Sequence, residues 1–277
     1  MKKALIILAF AFAANMNAQK SCCMMASTDA FAMMGNDKSF TASHEDPVPF
    51  TLANASGKYI SFKTPDGKEG YGYEVNSDNT TGNVVFVIHE WWGLNDYIKQ
   101  EAEKIAAETN AKVIAIDLYD KKVAAVKDSA AKYMQSMKKE RAEAIIKGAL
   151  NYVGKNAKVA TIGWCFGGGW SMQSALLAGK QAKTCVMYYG MPEEDLNKLK
   201  TLNASVFFVF AQKDQWINKD VVAKFEENMK KAGKKLEVKS YDADHAFANP
   251  SNPHFNKADS EEAFRLSVEH IKDGFSK

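Results

Sequence analysis

The segment GWCFGGG, residues 163–169, places Cys165 in a glycine-rich turn between two aromatic residues. The apolar run before it predicts a strand and the residues from Trp170 predict a helix, so the turn is abrupt. Such a turn strains its central residue and projects that side chain above the sheet. Backbone N–H groups at the helix start can then stabilise negative charge, which suits a nucleophilic thiol. A small buried cysteine among close-packed glycines is the alternative on this motif alone, whereas the dinucleotide and phosphate-loop patterns do not match.

A thiol nucleophile needs a base and an acid that orients the base, and both are present further along the chain. Asp214 follows the apolar run SVFFVFA, and His245 follows LEVKSY. The order nucleophile, acid, histidine is that of the α/β-hydrolase arrangement. Asp242 and Asp244 are alternative acids, but such close neighbours on one loop are less able to face the imidazole of His245. We expect solvated or packing roles for the other candidate bases: His44, His254 and His270.

A carboxylate stands at the end of another predicted strand. The run NVVFVI leads into His89, Glu90 and two tryptophans, Trp91 and Trp92. A partly desolvated pocket beside these rings would raise the pKa of Glu90 and let it exchange a proton with the thiol. The simpler alternative for Glu90 is a solvated carboxylate or a partner for a lysine, and we expect His89 to be a packing residue.

Six segments in this order resemble the dienelactone hydrolases of the α/β-hydrolase superfamily. They cover the chain from about Lys58 to its end: IHEWWGL (88–94), IDLYD (116–120), GWCFGGG (163–169), YYG (188–190), KDQW (213–216) and DHAF (244–247).

The resemblance implies a role for each matching residue. Cys165 is then the nucleophile, His245 the base and Asp214 its partner, while Glu90 governs the protonation of Cys165. The N–H groups of Trp91 and Phe166 then form the oxyanion hole. The implied reaction is hydrolysis of a carboxylic ester or lactone through a thioester acyl-enzyme, with no metal and no cofactor.

The substrate side departs from the characterised members of that family, which grip a substrate carboxylate with arginines. The chain has only two arginines, Arg141 and Arg265, and neither stands at the family's positions; Asn249 follows HAFA instead. Without that fixed guanidinium fork, dienelactone itself is doubtful as the substrate. Three lysines before the turn could act only as looser point charges: Lys132, Lys138 and Lys139. We expect an apolar or aromatic pocket, with substrate contacts from Trp92, Trp216 and Phe247.

Alternating strand and helix patterns predict the elements that position these residues. The result is an α/β-hydrolase fold, a mainly parallel sheet with helices on both faces. The predicted strands are Tyr59–Lys63 and Tyr71–Val75 (a hairpin), Asn83–Ile88, Lys112–Asp117, Lys158–Gly163, Thr184–Tyr189, Ser205–Ala211 and Leu236–Tyr241. The predicted helices are one that Asn95 caps, a long stretch that includes Tyr133 and Tyr152, Phe166–Ala178, Lys219–Ala232 and Ser260–Asp273.

The amino-terminal residues predict an exported protein with three parts. Residues 1–18 match a secretory signal peptide, with two lysines, a short apolar run and a small residue, Ala18. Residues 19–45 predict a flexible arm, and residues 46–277 a single hydrolase domain. A lipoprotein is a weaker alternative, because residues 19–21 before Cys22 match a lipobox poorly. Cysteines and methionines of the arm, with His44, could also bind copper, although a simple tether is the favoured interpretation.

The overall charge argues against several partner classes. The chain of 277 residues carries a formal net charge of +3 with no isolated basic block, so neither nucleic acid nor anionic membrane is expected as a main partner. We expect a small-molecule ester or lactone substrate, no integral membrane span and a monomer. Two other functions stay open: a non-catalytic binding protein on the same fold, and a thiol redox or metal-handling protein based on the cysteine- and methionine-rich arm.

Overall fold

The computed structural model describes residues 25–76 and 82–277. The predicted signal peptide and the cysteine pair Cys22 and Cys23 lie outside the described residues. Within the described residues, eight strands form one sheet in the order β1-β2-β4-β3-β5-β6-β7-β8. The strands are β1 Lys58–Lys63, β2 Glu69–Val75, β3 Asn83–Ile88, β4 Lys112–Asp117, β5 Lys158–Trp164, β6 Ala182–Tyr188, β7 Ser205–Ala211 and β8 Leu236–Tyr241.

The sheet is parallel from β4 to β8, whereas β1 and β2 are antiparallel and extend it on one side. Strands β3 to β7 are almost wholly buried, because helices cover both of their faces and their residues are continuously apolar. The edge strand β8 is only half-buried. The predicted α/β-hydrolase fold and the predicted hairpin are therefore confirmed.

The helices lie between and around these strands. They are α1 Ser27–Met33, α2 Lys38–Ala42, α3 Asp96–Thr109, α4 Lys127–Ser136, α5 Lys139–Val153, α6 Phe166–Ala178, α7 Leu196–Thr201, α8 Lys219–Ala232 and α9 Lys257–Phe275. Asn95 caps α3 as predicted, since its side chain accepts a hydrogen bond from the N–H of Ile98 at 3.1 Å. No helix in the described ranges combines the length and the apolar character needed to cross a bilayer.

Two predicted helices have different bounds in the structure. The long stretch divides into α4 and α5, because Met137 and Lys138 are extended. Tertiary packing explains the break: α4 lies against α1 and α2, whereas α5 lies against α6 and the strands β1, β2 and β4. The last helix begins at Lys257 instead of residue 260, because Asn256 caps it through the N–H of Asp259.

The prediction of a flexible arm is wrong for residues 25–45, which we call the N-terminal segment. Asp37 caps α2 by accepting a hydrogen bond from the N–H of Ser39 at 2.7 Å. Phe31, Phe40 and His44 are buried, and Phe40 has no exposed surface. The packed domain therefore includes residues before position 46, because these side chains fill space above the sheet edge where β3, β5 and β7 end.

Candidate active site

The turn that carries Cys165 is set by its backbone geometry. β5 ends at Trp164 and α6 begins at Phe166, so Cys165 is the single connecting residue. Its φ of 56° lies in the left-handed region, which is costly for a residue with a side chain and is typical of strained functional positions. Gly163 must lack a side chain there, because a Cβ would lie 2.1 Å from the Gly167 carbonyl oxygen. The sequence prediction of a sharp strand-to-helix turn is confirmed.

Cys165 is held in place and shielded from water. Its N–H donates to the carbonyl of Tyr188 on the neighbouring strand at 3.0 Å, and its side chain is buried, with 1% of its surface exposed. Burial raises the pKa of the thiol, while His245 and the N–H of Phe166 oppose that rise. Cys165 therefore rests as a protonated thiol.

His245 and Asp214, the predicted base and its predicted orienting acid, are bonded to each other. The Nδ1–H of His245 donates to Oδ2 of Asp214 at 2.5 Å, and both side chains are buried. Oδ1 of Asp214 accepts hydrogen bonds from the N–H groups of Trp216 at 2.9 Å and Ile217 at 3.0 Å. Burial alone would raise the pKa of Asp214, but these donors and His245 outweigh it and hold that pKa below its ordinary value. The carboxylate is therefore ionised and fixed in orientation.

The second ring nitrogen of His245 is free to act on the thiol. A His245 ring nitrogen lies within 4.8 Å of the Cys165 sulfur, and Nδ1 is already bonded to Asp214, so the available atom is Nε2. Burial favours the neutral imidazole, but the carboxylate of Asp214 and the contact with the Cys165 side chain raise the pKa of His245 well above its ordinary value. We call Cys165, His245 and Asp214 the triad.

The two alternative acids do not face His245 through an ion pair in the described structure. Asp242 pairs with Lys213 at 3.2 Å, and Asp244 lies 3.7 Å from a ring nitrogen of His254. Both carboxylates are exposed. Among the three candidates raised by the sequence, the geometry thus selects Asp214.

Glu90 lies buried beyond the end of β3, beside the triad. Its Oε2 accepts a hydrogen bond from the side-chain amide of Asn249, and its Oε1 is buried without a hydrogen-bond partner among the described residues. Burial raises the pKa of Glu90 to about 7, against the opposing effects of His245 and Asn249. Asn249 is itself fixed, since its Oδ1 accepts from the N–H and the hydroxyl of Ser251 at 2.8 and 2.7 Å. Glu90 can therefore gain or lose a proton near neutral pH.

His89 next to it has the packing role that the sequence predicted. Its Nδ1–H donates to the carbonyl of Glu90 at 2.6 Å, and its Nε2 accepts from the N–H of Leu118 at 3.1 Å. With both ring nitrogens engaged in the backbone, His89 positions the loop that carries Glu90.

Sequence reasoning missed the residues of the N-terminal segment that complete the site. The Phe40 ring lies 5.1 Å from Trp216 and 5.6 Å from Trp91, centroid to centroid. The His44 ring lies 4.5 Å from Trp91 and 5.3 Å from His245. Burial, followed by the nearby charge of His245, lowers the pKa of His44 to about 3. His44 is thus a neutral, buried histidine beside His245, and of the two roles expected for it, solvated or packing, the structure shows the packing one.

Of the aromatic residues predicted to contact substrate, one lines a cleft at the site and the others are buried in the core. Trp216 is partly exposed and lines a cleft of about 220 Å³ that also reaches His44, Asp214 and His245. Trp92 packs against Trp91, and Phe247 packs against Tyr189, and all four side chains are buried. Substrate contacts by Trp92 and Phe247, and the oxyanion role of the Trp91 and Phe166 N–H groups, stay predictions. A larger cavity of about 580 Å³ lies against β1 and β2 and is lined by no triad residue.

Both arginines are engaged away from the triad. Arg141 forms ion pairs with Asp66 and Asp120, and Arg265 pairs with Glu269 at 2.6 Å. The position that follows HAFA is used differently, since Asn249 binds Glu90 there. From the sequence, Asn249 was notable only because it stands where the family has an arginine. Its hydrogen bond to Glu90 was not predictable, because the two residues are 159 positions apart and leave no local sequence pattern.

Comparison with known proteins places this geometry in context. The model of the dienelactone hydrolase family matches residues 71–275. A protein of Aquifex pyrophilus named usf is 29% identical over 230 residues, covering 78% of this chain and 98% of that protein. A candidate carboxymethylenebutenolidase of Aquifex aeolicus is 28% identical with the same coverage. The crystal structure of a candidate dienelactone hydrolase from Klebsiella pneumoniae has a TM-score of 0.67 at 20% identity, covering 78% of this chain and 98% of its own.

Proposed function

The chain belongs to the dienelactone hydrolase family and is an ester-bond hydrolase, and we propose that it cleaves carboxylic esters or lactones with Cys165 as its nucleophile. One observation carries the proposal: Cys165 stands on a strained strand-to-helix turn, and His245 beside it is bonded to Asp214 at 2.5 Å. That arrangement joins a nucleophile, a base and an orienting acid in the geometry of acyl transfer.

In the proposed acylation step, Nε2 of His245 takes the proton of the Cys165 thiol while the sulfur attacks the carbonyl carbon of the substrate. The N–H groups of Trp91 and Phe166 stabilise the oxyanion that forms. The carbon–oxygen bond to the alcohol then breaks, and the imidazolium of His245 protonates the departing oxygen. The product of this step is a thioester on Cys165.

In the proposed deacylation step, His245 removes a proton from a water molecule that attacks the thioester carbonyl. The carbon–sulfur bond breaks, the carboxylic acid leaves, and Cys165 regains its proton. Asp214 remains ionised throughout and keeps Nε2 directed at the reacting atoms.

Glu90 gives the site a second place to hold the proton of the thiol. Burial raises the pKa of Cys165 most, and the negative charge of Glu90 adds to that rise, so the two groups disfavour ionisation of each other. One proton shared between them keeps Cys165 from being a permanent thiolate and oxidising readily. We propose that Glu90 exchanges this proton with the sulfur in the free enzyme, whereas His245 takes it in the reacting complex as described above.

Esters without a carboxylate beside the reacting carbonyl are the proposed substrate class. Arg141 and Arg265 are both committed to surface or loop carboxylates, and the cleft near His245 is lined on one side by Trp216. A neutral, aromatic or apolar ester fits this lining better than an anionic lactone.

The test is a pre-steady-state burst measurement with excess p-nitrophenyl butyrate, followed by acid quench and mass analysis of the intact protein and of its peptides. We expect one equivalent of nitrophenol per chain in the first turnover and a butyryl adduct on the peptide with Cys165. The Cys165→Ala variant is expected to lose both signals. Hydrolysis by Cys165→Ala at the wild-type rate would contradict the proposal.

Cys185 offers a matched control. It is buried in the core near the Ser171 hydroxyl, at 3.6 Å, and burial raises its pKa to about 11. The Cys185→Ala variant is expected to keep the burst and the adduct, because this thiol lies on β6 away from the turn and stays protonated.

We also propose that the chain is exported, on the basis of its residues 1–18. The protein recovered from its own cells is then expected to begin at Gln19, and an intact mass that includes Met1–Ala18 would overturn this.

A further inference from the structure

Three buried side chains in the active site bring metal-binding atoms together. His44, Cys165 and His245 each direct one ligand atom to a common place, and these atoms lie within 4.8 Å of one another. The Nε2 atoms of both histidines are buried and have no hydrogen-bond partner among the described residues. The Cys165 thiol, on which it acts in the triad, accounts for Nε2 of His245, but Nε2 of His44 has no such role. Buried polar atoms ordinarily have partners, so this free imidazole nitrogen beside the sulfur indicates a ligand.

The opposite side of each imidazole ring is fixed in the manner of a metal ligand. The Nδ1–H of His44 donates to the carbonyl of Phe40 at 2.6 Å, and the Nδ1–H of His245 donates to Asp214 at 2.5 Å. These bonds set the tautomer in which Nε2 carries the lone pair. Histidines that bind metals commonly make such an outer hydrogen bond to a backbone carbonyl or a carboxylate.

We propose that His44, Cys165 and His245 form a binding site for Zn²⁺ that holds the hydrolase inactive. Two imidazole nitrogens and one thiolate are a ligand set that zinc accepts, with a fourth position left for water. Zinc at about 2.0–2.3 Å from each ligand holds them roughly 3.3–3.6 Å apart, so the site closes with a movement of about 1 Å. Both histidines line the cleft of about 220 Å³, which provides an entry path from solvent.

When one zinc ion binds, the site releases one proton. The Cys165 S–H bond breaks, a zinc–sulfur bond forms, and the proton leaves to the buffer. The sulfur and Nε2 of His245 are then unable to act on a carbonyl carbon. The inhibition rests on the proposed function of Cys165, whereas metal binding does not.

The experiment uses the full-length protein and Co²⁺ as a spectroscopic probe that zinc should displace. We expect a thiolate-to-cobalt absorption band, tetrahedral ligand-field bands, loss of both on addition of one equivalent of Zn²⁺, and release of about one proton. Zinc affinity from competition with a chromophoric chelator should fall at least about 10-fold in His44→Gln. The matched variant His254→Gln, whose exposed ring lies outside the cluster, should bind zinc as the wild type does.

Two results would overturn the site. One is a wild-type cobalt spectrum without a thiolate band, which needs no variant and is insensitive to misfolding. The other is unchanged zinc affinity in a His44→Gln protein whose circular dichroism matches the wild type. Zinc inhibition of ester hydrolysis, measured relative to the zinc-free rate of each protein and reversed by a chelator, tests the regulatory arm. If no acyl adduct forms on Cys165, only the proposed inhibition of hydrolysis is contradicted, and the zinc site itself is not.

Discussion

Asp214 shows how one side chain can be selected among close alternatives. The sequence offers three carboxylates as partners for His245, but only Asp214 accepts the Nδ1–H, while its other oxygen is held by two backbone N–H groups. The selection follows from the position of Asp214 at the end of β7, two strands from β5 and Cys165. That placement was predictable from chain order, because parallel strands end at one edge of the sheet.

The Asp214→Asn variant should therefore lose most of its activity. An amide can leave His245 in the wrong tautomer, and we expect kcat for an aryl ester to fall by about 10³- to 10⁴-fold with little change in KM. The matched Asp242→Asn variant removes an exposed carboxylate that pairs with Lys213 at the surface, and its kcat should stay within about twofold of the wild type. Equal losses in the two variants would show that His245 takes its orientation from elsewhere.

The titration of Glu90 makes the stability of the folded protein depend on pH. Its pKa is raised by burial to about 7 in the folded protein, from an ordinary value near 4.5. The folded state thus binds the proton more tightly than the unfolded state, so stability is greatest below pH 4.5 with respect to this group and falls as pH rises towards 7. The shift corresponds to about 3 kcal/mol between those limits.

We expect the Glu90→Gln variant to lack that decline. Urea unfolding at a series of pH values should show the wild-type free energy of unfolding falling relative to the variant by about 3 kcal/mol from pH 4.5 to 7. A constant difference across this range would mean that Glu90 titrates normally and is solvated. Glutamine keeps the size of the side chain, so the comparison isolates the charge.

At the scale of elements, the helices of the N-terminal segment could not be predicted from sequence patterns. α1 and α2 have seven and five residues, too few to show helical periodicity, and such short helices form only when tertiary contacts hold them. The strands β3 to β7 were predictable because their apolar runs are continuous and buried on both faces. His44 and Phe40 carry no local signal of a site, because every contact that places them there is long-range.

Phe40 anchors the segment over the active site, and its loss should uncover Cys165. The side chain has no exposed surface and packs between Trp91 and Trp216. Replacing a buried phenylalanine by alanine costs about 3–5 kcal/mol, and each 1.4 kcal/mol changes a closed–open ratio about tenfold. We expect Phe40→Ala to raise the rate of Cys165 alkylation by iodoacetamide at least about tenfold, measured by peptide mass analysis.

Phe50→Ala provides the comparison for that measurement. Phe50 is partly exposed and stacks on Tyr97, outside the contacts of the triad. Its replacement should leave the alkylation rate of Cys165 unchanged. Similar rates in both variants and the wild type would show that α2 does not control access to the sulfur.

At the scale of the whole molecule, the N-terminal segment is an addition to a domain that is complete without it. Within the described ranges, every strand of the sheet comes from residues 58–241, and the family match begins only at residue 71. Because the segment contributes no strand to the sheet, we expect a chain that begins at Glu45 to fold. It should show the circular dichroism of an α/β protein and a single thermal transition.

The shortened chain should nevertheless be less stable and more open. Removing Phe31 and Phe40 uncovers apolar surface on Trp91 and Trp216, and a loss of about 3 kcal/mol lowers Tm by roughly 6–12 °C in a domain of this size. Calorimetry measures that shift, and the alkylation rate of Cys165 should rise with it. An unfolded shortened chain would mean that the segment is part of the folding core, and an unchanged Tm would mean that its packing contributes little; either result contradicts the role assigned to it here.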